Sequence, residues 1–143
     1  MAMTTLITGA SGQLGSQVLE FLRKWEGPAN LIATSREASN ATRFEKQGIR
    51  FQVADFSKSE SLSSAFEGVD KLLIISTPDY DTGLRSRLQN NAIDAAIAAK
   101  VGHVYFTSTG WGGYQDTSEA YIQQSALITE RHLKKYRSTL SCH

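Results

Sequence analysis

Apolar residues along this chain fall in short runs, separated by stretches where they recur at helical spacing. Leu6-Ile7 sit in a first strand that ends at Thr8 or Gly9. From Gln13 to Trp25, Leu14, Val18, Leu19 and Leu22 share one face of a predicted helix, which Gly27-Pro28 stop. Asn30 to Thr34 form a second short strand, and Ala38 to Lys46 a weak polar helix ending at Gly48. Ile49 to Ala54 alternate and predict a third strand. Asp55 to Phe66 read as helical, with Ser57 or Ser59 as the candidate cap and Gly68 as terminator. Val69 to Ile75 give a strongly apolar fourth strand, closed by Pro78. The longest predicted helix runs from Thr82 to Lys100. Asn91 inside it is expected to tie it to a neighbouring loop, because Asn is a poor helix former. His103 to Thr107 supply a fifth strand, Ser108 to Thr117 a glycine-rich loop, and Ser118 to Lys135 a last helix. Ile122, Leu127 and Leu133 are that helix's candidate core contacts.

Strands alternating with helices at this interval predict an α/β fold, a doubly wound parallel sheet covered on both faces. The expected strand order is 3-2-1-4-5. Tyr136 to Cys142 are a candidate sixth strand, and the sheet is expected to be cut short after the fifth or sixth strand. The whole of residues 1–143 reads as a single domain.

The first strand runs straight into Gly9, Gly12 and Gly15, spaced by three. A strand, a tight glycine turn and a helix make the fingerprint of a dinucleotide pyrophosphate site. Gly9 permits the turn, Gly12 lets backbone N–H groups approach the phosphates, and Gly15 lets the helix pack closely. Ser11, Gln13 and Leu14 belong to the same cradle, where the helix adds its positive end. No Gly-Lys-Ser/Thr follows, so the turn is not a nucleoside-triphosphate loop.

An NAD site places an acid at the end of the second strand, to accept from the ribose 2′-OH. Thr34-Ser35-Arg36 stand there instead, and a guanidinium suits a 2′-phosphate, so NADP is favoured over NAD. Glu37 stands one residue further on and would serve NAD if the register shifted. Asp55 ends the third strand, where it could accept from the adenine amino group or cap the next helix. Ser76-Thr77-Pro78 follow the fourth strand and are expected to line the cleft near the nicotinamide-side ribose. Thr107, Ser108 and Thr109 follow the fifth and are expected at the reacting end, with the aromatic loop Trp111-Gly112-Gly113-Tyr114 nearby, either to cover a planar ring or to pack as a flap on a further lobe. No tyrosine has a lysine four residues on, so the acid–base pair of alcohol–ketone dehydrogenases is missing. Hydride transfer to an electron-poor acceptor such as a quinone needs less from the protein.

Composition narrows the field further. The 143 residues are 41% hydrophobic and 20% charged, with net charge +1. That supports a packed core and excludes both disorder and a charge-driven nucleic-acid surface. One cysteine, Cys142, precludes an internal disulfide and fits a reducing compartment. No signal-peptide pattern and no membrane-length apolar run occur, so a cytoplasmic protein is expected. His103, His132 and His143 are too scattered for a metal site.

The residues just quoted carry a resemblance. Ile7-Thr8-Gly9-Ala10-Ser11-Gly12-Gln13-Leu14-Gly15, Thr34-Ser35-Arg36, Val53-Ala54-Asp55-Phe56, Asn90 to Ala96 and Val104 to Thr109 resemble the atypical short-chain dehydrogenase/reductases. Within that group the chain is similar to the NmrA-like proteins, close to the NAD(P)H:quinone oxidoreductases of type 2. The resemblance implies an NAD(P)-binding Rossmann domain followed by a smaller substrate lobe. It also implies either quinone reduction or, in other members, dinucleotide sensing that regulates a protein partner. Family members run to about twice this length, so the lobe is expected to be missing here. Weak or no turnover, with residual NADP binding, is then the expectation. Where quinone-reductase relatives carry His in a His-x-x-Thr-Glu pattern, this chain has Ala126 before Leu127-Ile128-Thr129-Glu130. Thr-Glu is kept and the His is lost.

Overall fold

A computed structural model of the chain describes residues 2–79, 81–108 and 120–136, and of residues 120–123 the backbone alone. Five parallel strands form one sheet: β1 (Thr5–Ile7), β2 (Leu31–Ser35), β3 (Arg50–Val53), β4 (Lys71–Ile74) and β5 (His103–Phe106). Their order is β3-β2-β1-β4-β5, as the sequence predicts. The helices are α1 (Gln13–Glu26), α2 (Ala41–Glu45), α3 (Ser59–Phe66), α4 (Thr82–Ala98) and α5 (Ala120–Lys134).

Side chains alternate across a strand, so neighbouring residues feed opposite cores. Leu6, Leu72, Ile74 and Val104 join α3 and α4 on one face, through Leu62, Phe66, Ile93 and Ala96. Ile7, Leu31 and Ala33 meet Leu19 of α1 and Phe44 of α2 on the other. Each fully buried Leu, Ile or Phe contributes about 2 kcal/mol. The inner strands β1 and β2 are buried throughout, whereas edge strand β3 turns Arg50 and Gln52 outward. β1 and β4 are hydrogen-bonded neighbours, yet α1 leaves to one face and α4 to the other. That reversal opens a crevice beyond their carboxyl ends.

Several boundaries depart from the sequence expectation, each for a local reason. Asn30 is not in β2: Pro28–Asn30 make a 3-10 turn first, closed by Asn30 N–H donating to the Gly27 carbonyl. The predicted helix over Ala38 to Lys46 divides into a 3-10 turn, Ala38–Asn40, and the short α2. α3 starts at Ser59 rather than Asp55, because the Asp55 carboxylate closes a turn onto Ser57. Its N-cap position is Lys58, so neither Ser57 nor Ser59 is the cap. Leu14 is 49% exposed and is no core contact, since it faces the crevice. Leu19 is buried and Val18 and Leu22 pack beside it, as expected of that face. Asn91 does tie α4 to a loop, its Nδ2 donating to the Phe56 carbonyl at 3.0 Å.

α5 packs on α4, with Leu133 and Tyr136 against the larger core. His132 and Tyr136 both meet the Asp94 carboxylate, at 2.6 and 3.3 Å. Proximity to that carboxylate pushes the Tyr136 hydroxyl above its ordinary pKa. Among the described residues, no helix is long and apolar enough to cross a membrane. The predicted sixth strand lies outside the described residues after its first position, Tyr136, and so do Thr109, Trp111 to Tyr114, Cys142 and His143. The side chain of Ile122 is likewise not described.

Candidate functional site

A cleft of about 590 Å³ opens at the carboxyl ends of β1, β2, β3 and β4. Its floor is the turn between β1 and α1. Gly9 has φ of +60°, a conformation L side chains rarely adopt. Gly12 N–H closes the turn onto the Gly9 carbonyl at 3.0 Å. A Cβ on Gly15 would stand 2.1 Å from that same carbonyl oxygen. The third glycine therefore packs against the turn itself, which brings the first residues of α1 under the cleft. The N-cap of α1 is Gly12, with no side-chain cap, so the helix presents its free N–H groups there.

Ser11, Gly12, Gln13, Leu14 and Gly15 all line the cleft with Gly9. Arg36 lines it from the end of β2, exposed and without an ion pair among the described residues. Ser35 sets Arg36 in place. Its hydroxyl donates to the Glu37 carbonyl and accepts from the Glu37 N–H, both at 3.0 Å, and from Asn40 Nδ2 at 2.9 Å. That knot bends the chain directly after β2. Arg36 lines the cleft and Glu37 does not.

Asp55 lines the cleft from the end of β3. Its Oδ1 accepts from Ser57 twice, from N–H at 2.9 Å and from the hydroxyl at 2.6 Å. These bonds lower its pKa below the ordinary carboxylate value, and nearby Lys58 and Arg36 act in the same sense. Lys58 Nζ stands 3.8 Å from Oδ2.

The wall opposite Arg36 is the segment after β4. Ser76, Thr77 and Pro78 line the cleft, together with Ile75 and Asp79. Thr107 and Ser108 are not among the lining residues. Thr107 Oγ1 accepts from Ser76 N–H at 2.9 Å, so it stands behind the wall. Ser108 is exposed and its hydroxyl donates to Glu130 of α5.

Among the lining residues that sequence reasoning missed are Ser35, Phe56, Ser57, Leu84 and Leu88. Two signals were available. Asp-x-Ser at 55–57 is a turn pattern. Leu84 and Leu88 are four apart, on one face of the helix that follows the crevice. Arg85 carried no signal: it is buried, its Nη1 donates to the Asp79 carbonyl at 3.4 Å, and burial lowers its pKa.

Residues 9–138 match the model of a family described as NAD(P)H-binding. The chain is 36% identical over 142 residues to an NmrA-like family domain-containing oxidoreductase, flvB, of Aspergillus flavus, covering 98% of this chain and 46% of that protein. It is 37% identical over 127 residues to quinone oxidoreductase 2 of Escherichia coli, covering 89% and 43%. The solved triphenylmethane reductase of Citrobacter sp., complexed with NADP(H), superposes with a TM-score of 0.87 at 31% identity, covering 94% of this chain and 46% of that one. The chain thus spans less than half the length of each of these relatives.

Proposed function

The chain belongs to the NAD(P)H-binding family, and from that premise we propose that its cleft holds NADP(H) for hydride transfer to a quinone or similar electron-poor acceptor. The observation that carries this reading is one cleft lined jointly by the glycine turn, Arg36 and the segment after β4. The residues present fit the dinucleotide. The turn is a cradle that a Cβ would fill at Gly15, and crowd at 3.3 Å at Gly12. Gly9, Ser11, Gly12, Gln13, Leu14 and Gly15 would hold the pyrophosphate over the uncapped start of α1.

Arg36 selects the cofactor in this reading. Its guanidinium is unpaired among the described residues and suits a 2′-phosphate. Glu37, the residue that would favour NAD, is turned out of the lining by the Ser35 knot. Asp55 has Oδ1 engaged by Ser57, and Oδ2, which faces Lys58 Nζ at 3.8 Å, would accept from the adenine amino group. Ser76, Thr77 and Pro78 would flank the nicotinamide-side ribose, with Thr107 holding Ser76 from behind. Bound NADPH supplies the hydride. The chain's own residues would orient the cofactor, and no acid–base side chain is required for an electron-poor acceptor.

A second reading, a dinucleotide sensor acting on a regulatory protein, is favoured by one observation. Ala126, where the resemblance places a His, is buried in α5 at 5% exposure and offers no polar group. Titrating the chain with NADPH and NADH, then assaying a quinone panel, tests both. NADPH binding with quinone turnover supports the first reading, and binding without turnover supports the second. No NADPH binding overturns both.

A further inference from the structure

Among the described residues the segment after β4 has no strand neighbour beyond Ile74, yet its backbone N–H groups are captured one after another by side chains. Ile75 N–H donates to Thr8 Oγ1 at 2.9 Å and Ser76 N–H to Thr107 Oγ1 at 2.9 Å. Thr77 N–H donates to Gln89 Oε1 at 3.1 Å. Gln89 is fully buried in α4, and the other end of its amide is used as well. Nε2 donates to Thr129 Oγ1 at 2.7 Å, and that hydroxyl donates on to the Ser125 carbonyl at 3.0 Å. Ser86 and Ser125 form a second buried rung between the same helices, at 3.3 Å. The next residue, Glu130, accepts from Ser108 after β5. Thr129 and Glu130 are the pair kept from the His-x-x-Thr-Glu pattern. In the fold Thr129 is joined to the segment after β4 through Gln89, and Glu130 bonds directly to the segment after β5.

A buried amide is costly unless both of its ends are bonded. Gln89 meets that condition only while Thr77 and Thr129 hold their present places. The geometry points to Gln89 as a positioning residue: it fixes the Thr77 wall of the cleft and, through Thr129, couples that wall to α5. This rests on the reading that the cleft holds NADP(H). Gln89 is not among the residues that line the cleft, so it acts only through the Thr77 backbone.

The test compares two ligands on the full chain by calorimetry. NADPH would span both walls, whereas 2′,5′-ADP would engage only the glycine turn and the Arg36 side. Gln89→Leu is expected to weaken NADPH about tenfold, from the orphaned Thr77 N–H and the lost tie to Thr129. Its affinity for 2′,5′-ADP should stay within about twofold, because nothing on that wall changes. Thr129→Val should weaken NADPH in the same sense but less, and should add little in the double variant, since both substitutions cut one chain of bonds. Gln89→Glu keeps the acceptor for Thr77 and should recover part of the NADPH affinity. An equal loss for both ligands would mean general loosening and would overturn the proposal. So would unchanged NADPH affinity in Thr129→Val, which also decides the matter if Gln89→Leu fails to fold. A wild-type chain that binds neither ligand removes the cofactor reading itself, and this proposal with it.

Discussion

The two walls of the cleft are built by opposite means. The β1–α1 side is backbone: a positive-φ glycine, a carbonyl closing on an N–H three residues away, and a helix end pressed against both. The β4 side is a segment whose N–H groups are held by side chains from just after β1, just after β5 and from α4. The first wall tolerates almost no added atom. The second depends on its hydrogen bonds being made. A backbone site gains its geometry from what is left out, and a side-chain site from what is satisfied.

The contrast can be broken most severely at Gly15. Gly15→Ala puts a Cβ 2.1 Å from the Gly9 oxygen. We expect a loss of about 3 kcal/mol, read by urea denaturation, because backbone on both sides cannot give way. Arg36→Ala tests the rim. NADPH affinity should fall roughly thirtyfold, about 2 kcal/mol for a charge-assisted contact, with NADH affinity barely changed and the urea midpoint unmoved. Thr107→Val is nearly isosteric and removes only the acceptor for Ser76 N–H. It should cost about 1 kcal/mol of stability. The smallest effect belongs to Asp55. Its folded pKa is depressed, so its stabilising contribution is present above the unfolded value of about 3.9 and is lost as pH falls through the folded pKa. Asp55→Asn should lower stability near neutral pH by less than about 1 kcal/mol, since its ion-pair partner Lys58 is exposed and the amide oxygen still accepts from Ser57. The gap to wild type should close in acid, as thermal melts taken across pH would show.

The same contrast explains what could be read from the chain beforehand. Gly9, Gly12 and Gly15 announce themselves because a backbone site needs glycine at fixed spacing. The strand order followed from strands alternating with helices in right-handed crossovers, which cover both faces of the sheet. Gln89 and Thr129 could not be found, because their partners lie 12 and 40 residues away and no spacing encodes them. Thr107 illustrates the difficulty well. A hydroxyl after β5 reads as facing a ligand, but in the fold an orphaned N–H of the neighbouring segment takes it up. Leu14 shows the limit of helical spacing, which gives a face without saying whether protein or a crevice lies against it; the glycine-turn pattern, which set Leu14 in the cradle, agrees with its place in the cleft.

The separations along the chain also carry a kinetic meaning. Gly12 closes on Gly9 within one local turn, whereas Ile75 must find Thr8 across 67 residues and Ser76 must find Thr107 across 31. Closing longer loops costs more chain entropy, and contacts distant in sequence form late. During folding, the glycine cradle is therefore expected to be ready well before its facing wall. A chain emerging from synthesis would not complete that wall until Thr107 had been made and seated beside β4. A ligand spanning both walls would then act chiefly by slowing unfolding, since it ties the earliest contact of the molecule to one of its last.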